Sequence, residues 1–206
     1  MLNDIESIMS IPKSYLHEAC KELTKDDITR LVDRLSLKDD QIRYQAFLLL
    51  QSRSALYDDV YPFWELFHEK LKSENSYQRS IGLMLIAENV KWDMKNKMEN
   101  VIDDFMACLY DPKPITVRQC IQSLGKIAAV KPSLCEKISS KLISYDITAV
   151  KETMRKSILT DILNVLLIIR QEHRTKETET FISNALFGDI LDKKTKKQIE
   201  ALLHDR

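Results

Sequence analysis

Ser76-Tyr77-Gln78-Arg79-Ser80-Ile81-Gly82-Leu83-Met84-Leu85 is the stretch on which the fold turns. Asn75 stands in front of it, a residue whose side-chain oxygen can accept from the first free amides of a helix. Its fourth residue is Arg79, and Leu85 follows six residues later. The same order occurs upstream, where Asp40-Gln41-Ile42-Arg43-Tyr44-Gln45-Ala46 runs into Leu49. It occurs downstream, where Ile115-Thr116-Val117-Arg118-Gln119-Cys120-Ile121 runs into Leu124. A weaker fourth copy, Glu152-Thr153-Met154-Arg155-Lys156-Ser157-Ile158, has Asp161 in the place of the leucine. The arginines are spaced by 36, 39 and 37 residues.

A leucine-bearing segment precedes each of the first three copies, ending at Leu35, Leu71 and Leu109, and Ile138–Leu142 does the same for the fourth. Apolar residues within these segments recur at helical spacing: Leu31, Val32 and Leu35; Phe63, Phe67 and Leu71; Ile102, Phe105, Met106 and Leu109. No stretch alternates strictly with a period of two, so no strands are expected. A unit of two helices repeating at a period near 40 predicts an α-solenoid, because one pair cannot bury its apolar faces without the next. The expected fold is therefore all-α: a right-handed α-α superhelix of about four to five helix pairs, HEAT/armadillo-like. Helix signals fall in register with it. Thr24 with Asp27 resembles a capping box, Asp39 or Asp40 and Asn75 are placed to cap, and Pro62, Pro114 and Pro132 sit where a first turn tolerates proline. Gly188 marks a helix stop.

Composition excludes several functions. The chain has only three glycines, Gly82, Gly125 and Gly188, so neither GxGxxG nor a Walker loop is present. Lys+Arg 31 balance Asp+Glu 31, which argues against a dedicated nucleic-acid binder, normally basic overall. Cys20, Cys108, Cys120 and Cys135 form no C-x-x-C and are expected as small buried apolar residues. His17 and Cys20 share a helical face, but two ligands are too few for a structural zinc site. H-E-x-x-H and G-x-S-x-G are absent. No metal, cofactor or catalytic residue is assigned. The segment from Met1 to Glu6 is acidic and lacks the pattern of a secretory signal, and the longest apolar run, Val165–Ile169, is far too short to span a membrane. A cytoplasmic location is the expectation.

The middle of the chain carries a narrower likeness. It reads Val60-Tyr61-Pro62-Phe63, Asn75-Ser76-Tyr77-Gln78-Arg79, Gly82-Leu83-Met84-Leu85-Ile86-Ala87, Trp92-Asp93, Asn96-Lys97 and Asp111-Pro112-Lys113-Pro114-Ile115-Thr116-Val117-Arg118, with Lys131-Pro132 beyond. The repeat as a whole, over about residues 26–160, resembles HEAT repeats. Over about residues 60–160 the chain resembles a family of small Firmicute-type bacterial HEAT-like proteins often labelled SufBD proteins. The resemblance implies the helical-repeat fold and supplies no activity. Iron–sulfur scaffolds of that label have a β-helix fold, and the dispersed cysteines here do not support cluster chemistry.

One solenoid domain is expected over 1–206, with capping helices over 1–24, HEAT-like repeats over 25–160 and C-terminal capping helices over 161–206. A long helix is predicted from Ile147 to Arg170, apolar nearly all round toward its end, so it must be covered. Helices at 176–187 and 193–204 would cover it and present a polar outer face.

Four residues are candidates for partner binding: Arg79, Arg118, Gln119 and Trp92. The arginine series, Arg43, Arg79, Arg118 and Arg155, reads as a ladder for an acidic ligand or as a set of ties within the inter-helix turns, and the ties are preferred. Arg118 is the expected exception, since Lys113-Pro114-Ile115-Thr116 offers it no carboxylate at the equivalent cap. Trp92 reads as a partner anchor or as a plug between helix pairs. Lys193, Lys194, Lys196 and Lys197 read as the solvated face of a last helix. The expected function is a non-catalytic protein–protein interaction scaffold that takes a protein or peptide on its concave face. The alternative is a nucleic-acid-binding or DNA-repair protein related to the HEAT-like alkylpurine glycosylases, although Trp92-Asp93 supplies no counterpart of that family's motif.

Overall fold

Helix caps divide the chain where the sequence places them. In the computed structural model of the chain, residues 11–204 are described. Of the expected N-terminal capping segment, residues 1–10 lie outside the described residues. A 3₁₀ turn at Lys13–Tyr15 leads into α1 (Leu16–Ala19). Thr24 then opens α2 (Lys25–Arg34) with a capping box: its hydroxyl accepts from Asp27 N, and the Asp27 carboxylate accepts from Thr24 N at 3.0 Å. Asp39 opens α3 (Asp40–Ser54) by accepting from the amides of Gln41 and Ile42 at 2.9 and 3.0 Å. Asn75 opens α5 (Ser76–Asn89) by accepting from Tyr77 N at 2.9 Å.

The remaining helices are α4 (Trp64–Lys70), α6 (Lys97–Ala107), α7 (Pro114–Val130), α8 (Cys135–Ile143), α9 (Glu152–Glu172), α10 (Lys176–Phe187) and α11 (Lys193–His204). Pro62, Pro114 and Pro132 each occupy a first-turn position, where the missing N–H would have had no partner. Eleven α-helices and no strand occur among the described residues. In chain order they are the short α1 and then five pairs.

The chain forms two compact units, Met1–Phe105 and Met106–Arg206, with the boundary inside α6. In the first unit α2 packs on α3, α4 on α5, and the second helices α3 and α5 on each other. Leu31, Leu35, Leu49, Leu50, Trp64, Phe67, Leu83 and Leu85 are fully buried there. The α4–α5 contact is close. A Cβ on Gly82 would stand 2.6 Å from the Phe67 carbonyl oxygen, so only glycine lets the two backbones touch.

In the second unit the main contact is again between second helices, α7 on α9. Cys120, Ile121, Leu124 and Ile127 of α7 and Ile162, Leu163, Leu166 and Ile169 of α9 are buried. Helices α8, α10 and α11 also pack on α9, and so its apolar run is covered, with Ile168 left 38 % exposed.

Two expectations about the C-terminal half need correction. The long helix starts at Glu152 and not at Ile147, because Val150 and Lys151 are extended after a 3₁₀ turn at Ile147–Ala149. Asp146 holds that turn by accepting from Thr148 N at 2.9 Å. Gly188 ends α10 as expected, at φ −71, so the stop uses no left-handed residue. The terminal pair does not present a wholly polar surface: Phe187 is 84 % exposed and Leu202 50 %.

Candidate functional site

Each helix terminus leaves backbone groups without intrahelical partners, and the arginine series is one answer to that deficit. Arg43 donates through Nη1 to Leu37 O at 2.8 Å, and its Nη2 pairs with Asp40. Arg79 donates through Nη1 to Ser73 O and Glu74 O at 2.7 and 2.9 Å. Arg155 donates to Val150 O at 2.9 Å and Thr148 O at 2.8 Å. In all three the guanidinium reaches back five to seven residues and ties the carbonyls of the turn before its own helix. The turn-tie reading holds for these three arginines.

Arg118 does something else. The turn before it is built by Asp111, which accepts from Lys113 N at 2.8 Å, and by two prolines. Its guanidinium crosses to the neighbouring second helix and grips Asp161 with both arms, Nε to Oδ2 at 2.6 Å and Nη2 to Oδ1 at 3.2 Å. Gln122 adds a third donor to Asp161 Oδ1 at 3.0 Å. Asp161 is 7 % exposed and stands where the other copies carry the fully buried Leu49, Leu85 and Leu124. A carboxylate at a leucine position is costly unless paired and hydrogen-bonded, and here three donors meet it. The carboxylate in turn raises the proton affinity of Arg118 above the ordinary arginine value, against the opposing effect of burial.

Asp161 and Gln122 line a cleft of about 290 Å³ between α7 and α9. Gln122, Asp161 and Asn164 give it polar walls, and Ala129, Val165 and Ile168 apolar ones. Gly125 lies at its floor, where an added Cβ would meet Val165 Cγ2 at 3.3 Å. Gln119 stands one turn before Gln122 on α7, half-buried and without a hydrogen bond to the protein among the described residues. Asn164 is exposed and its amide is likewise unengaged. The cleft therefore offers amide donors and acceptors beside an aliphatic wall, a combination that matches a peptide backbone and a side chain together.

Arg118 and Gln119 both lie on α7 in the second unit, but neither lines the cleft, and Arg118 is linked to it only through Asp161. Arg79 and Trp92 lie in the first unit and are not brought together: Arg79 is in the first turn of α5 and Trp92 is beyond its last, a helix of about 20 Å apart. Trp92 donates through Nε1 to Ser54 O at 2.8 Å, and Lys91 donates to Ala55 O while its ammonium sits 4.9 Å from the indole centroid. Together they satisfy carbonyls at the end of α3. Asp93 caps the start of α6, accepting from Lys97 N and Met98 N at 2.9 Å each. It also accepts from the Tyr61 hydroxyl at 2.8 Å, and burial and this carboxylate push the Tyr61 phenol up to about 12.

All four cysteines are buried and form no disulfide, and burial raises the thiol pKa of Cys20, Cys120 and Cys135. No group of three or more metal-ligating side chains occurs among the described residues. No helix among the described residues is long and apolar enough to cross a membrane. Sequence reasoning missed Asp161 as the partner of Arg118, although its replacement of a repeat leucine was the visible signal. It also missed Gln122, Asn164 and the cleft.

No protein-family model matches the chain, and no curated protein matches it. Solved structures do. A designed armadillo repeat protein in complex with the peptide (KR)4 is similar at a TM-score of 0.66 and 12% identity, covering 98% of this chain and 90% of that one. A second designed armadillo repeat protein gives a TM-score of 0.58 at 12% identity, covering 98% of both chains. An engineered protein from a structural genomics consortium gives 0.57 at 14%, covering 98% of this chain and 90% of that one. At such identities the likeness concerns the fold. The chain is an all-α, armadillo-like helical-repeat superhelix. The narrower likeness to the proteins labelled SufBD, and a Firmicute origin, find no counterpart among these matches.

Proposed function

We propose that this chain is a non-catalytic binding scaffold of the helical-repeat type, and that it takes an extended segment of another protein along its second helices, the concave face of such a superhelix. The observation that carries this reading is the α7–α9 cleft, lined by Asp161, where the repeat leucine gives way, and by the unengaged amide of Asn164. Arg118 and Gln119 precede its lining residues on α7, and Arg118 is held in place by Asp161 before any ligand arrives, so less conformational freedom is lost on binding. The likeness to a designed repeat protein that holds a peptide supports the reading. The nucleic-acid alternative needs a row of phosphate-facing guanidinium groups. Three of the four in the series hold turn carbonyls and the fourth holds a carboxylate, so no observation favours that alternative.

The test is a display selection of random peptides against the folded full-length chain, with (KR)4 as a defined probe alongside. Selected peptides are expected to lose at least about tenfold in affinity when Asn164→Arg and Ile168→Asp are introduced together on the exposed side of α9. Arg79→Met and Trp92→Phe, in the first unit, are expected to act on stability first. If no peptide is enriched, or if affinity ignores the α9 changes, the reading fails.

A further inference from the structure

A second cation outside that cleft has no acid to meet it. Lys70 closes α4 in the first unit and is 8 % exposed. Its ammonium donates to Ser36 Oγ at 3.2 Å and to Gln78 Oε1 at 2.5 Å. Both acceptors are neutral, and no carboxylate lies within ion-pair distance of it among the described residues. An ammonium has three N–H donors, so one is unspent. Arg43, 6 % exposed, is close enough that its charge and the burial together loosen the hold of Lys70 on its proton.

Both side chains line a cavity of about 470 Å³ at the turn ends of α2–α3 and α4–α5. Ser36, Lys38, Asn75 and Gln78 share the lining. Lys38 and the side-chain nitrogen of Asn75 have no hydrogen-bond partner among the described residues. The acid on the lining is Glu69, exposed, while Asp40 is already paired with Arg43. If Lys70 only bolted Ser36 to Gln78, a neutral donor would serve without the cost of a buried charge. A cation kept there, with a free donor and room in front of it, fits an anion.

We propose that this cavity binds a small molecule bearing an oxyanion of the phosphate or carboxylate class. Lys70 takes the anionic oxygen with its remaining N–H, Asn75 Nδ2 supplies a second donor, and Arg43 and Lys38 supply field and rim. The volume exceeds that of the anionic group alone and leaves space for the organic part of the ligand. The site lies wholly in the first unit and does not depend on the peptide reading of α7 and α9.

The experiment is an amide NMR titration of the ¹⁵N-labelled full chain with inorganic phosphate, with succinate, and with sodium chloride at matched ionic strength. Saturable shifts at the amides of Ser36, Lys38, Asn75 and Gln78 are expected for at least one oxyanion and not for chloride, and the tighter of the two assigns the class. Lys38→Glu, at an exposed position that the fold does not use, is expected to weaken binding at least about fivefold, and Lys70→Met to abolish it. The proposal is overturned if neither oxyanion saturates, if chloride reproduces the shifts, or if Lys38→Glu leaves the isotherm unchanged. Folded Lys70→Met that still binds overturns it as well. Should Lys70→Met fail to fold, the wild-type and Lys38→Glu titrations decide alone.

Discussion

Arg118 and Lys70 are both cations drawn in among helices, and the molecule treats them in opposite ways. Arg118 meets Asp161, a carboxylate that replaces a core leucine, and the two bury each other with Gln122 as a third party. Lys70 meets a hydroxyl and an amide, more deeply buried and with no opposite charge. The first is a closed account of charge and geometry, so cutting it should hurt. The second is open on one side, so it should tolerate loss of the cation and respond to an added anion.

The sharpest way to break this contrast is Arg118→Met, which strands Asp161 at a leucine position. Urea unfolding should show a loss of about 2–4 kcal/mol, below the full cost of a wholly buried pair because Arg118 keeps some exposure. Adding Asp161→Leu, which restores the residue of the other copies, should recover most of that loss. A double mutant as unstable as the single would mean that the carboxylate was not the source of the cost.

Next in size is Arg79→Met, which removes two donors from turn carbonyls and leaves them to water. A loss of about 1–2 kcal/mol is expected, from the same unfolding measurement. Gln122→Leu takes away only the third donor to Asp161 and should cost about 1 kcal/mol. An effect equal to that of Arg118→Met would reassign the pair's strength to the amide.

Lys70→Met should be the mildest at neutral pH, within about 1 kcal/mol of the parent. Its mark lies in alkali. Folded Lys70 holds its proton less tightly than the ordinary 10.5, by burial and the Arg43 charge, with Lys38 and Glu69 also lining its cavity. The unfolded chain therefore binds more protons just below 10.5, and parent stability should rise with pH from the lowered value up to there. That rise should vanish in Lys70→Met when the two chains are compared by unfolding at stepped pH.

Much of the frame was legible from sequence because local chemistry decides it. Thr24, Asp39 and Asn75 cap helices within three residues of themselves, and three prolines fall in first turns, so short windows suffice. The arginine ties were legible for the same reason. The cleft was not, because its making depends on residues about 40 positions apart. Asp161 finds Arg118 from the next second helix, and only a mismatch in the repeat hinted at it. Lys70 was invisible for a like reason: the preceding helix pair, with Ser36 34 residues back, helps decide whether it is buried. Helix starts were misread where extended residues interrupt a helical pattern, as at Val150, since the arginine that answers the carbonyls of Thr148 and Val150 follows them.

Gly82 has a wider meaning for how the array can change. The matching positions in the other copies hold Ala46, Ile121 and Ile158, and all four are buried. Units of nearly equal length thus carry side chains of unequal size at the same buried position, from none, where backbone meets backbone, to a branched one. A consensus module averaged from these four would seat none of them correctly. Shuffling or duplicating one unit would bring its own side chain at that position to whatever stands next to it, so the order of the units is itself encoded residue by residue.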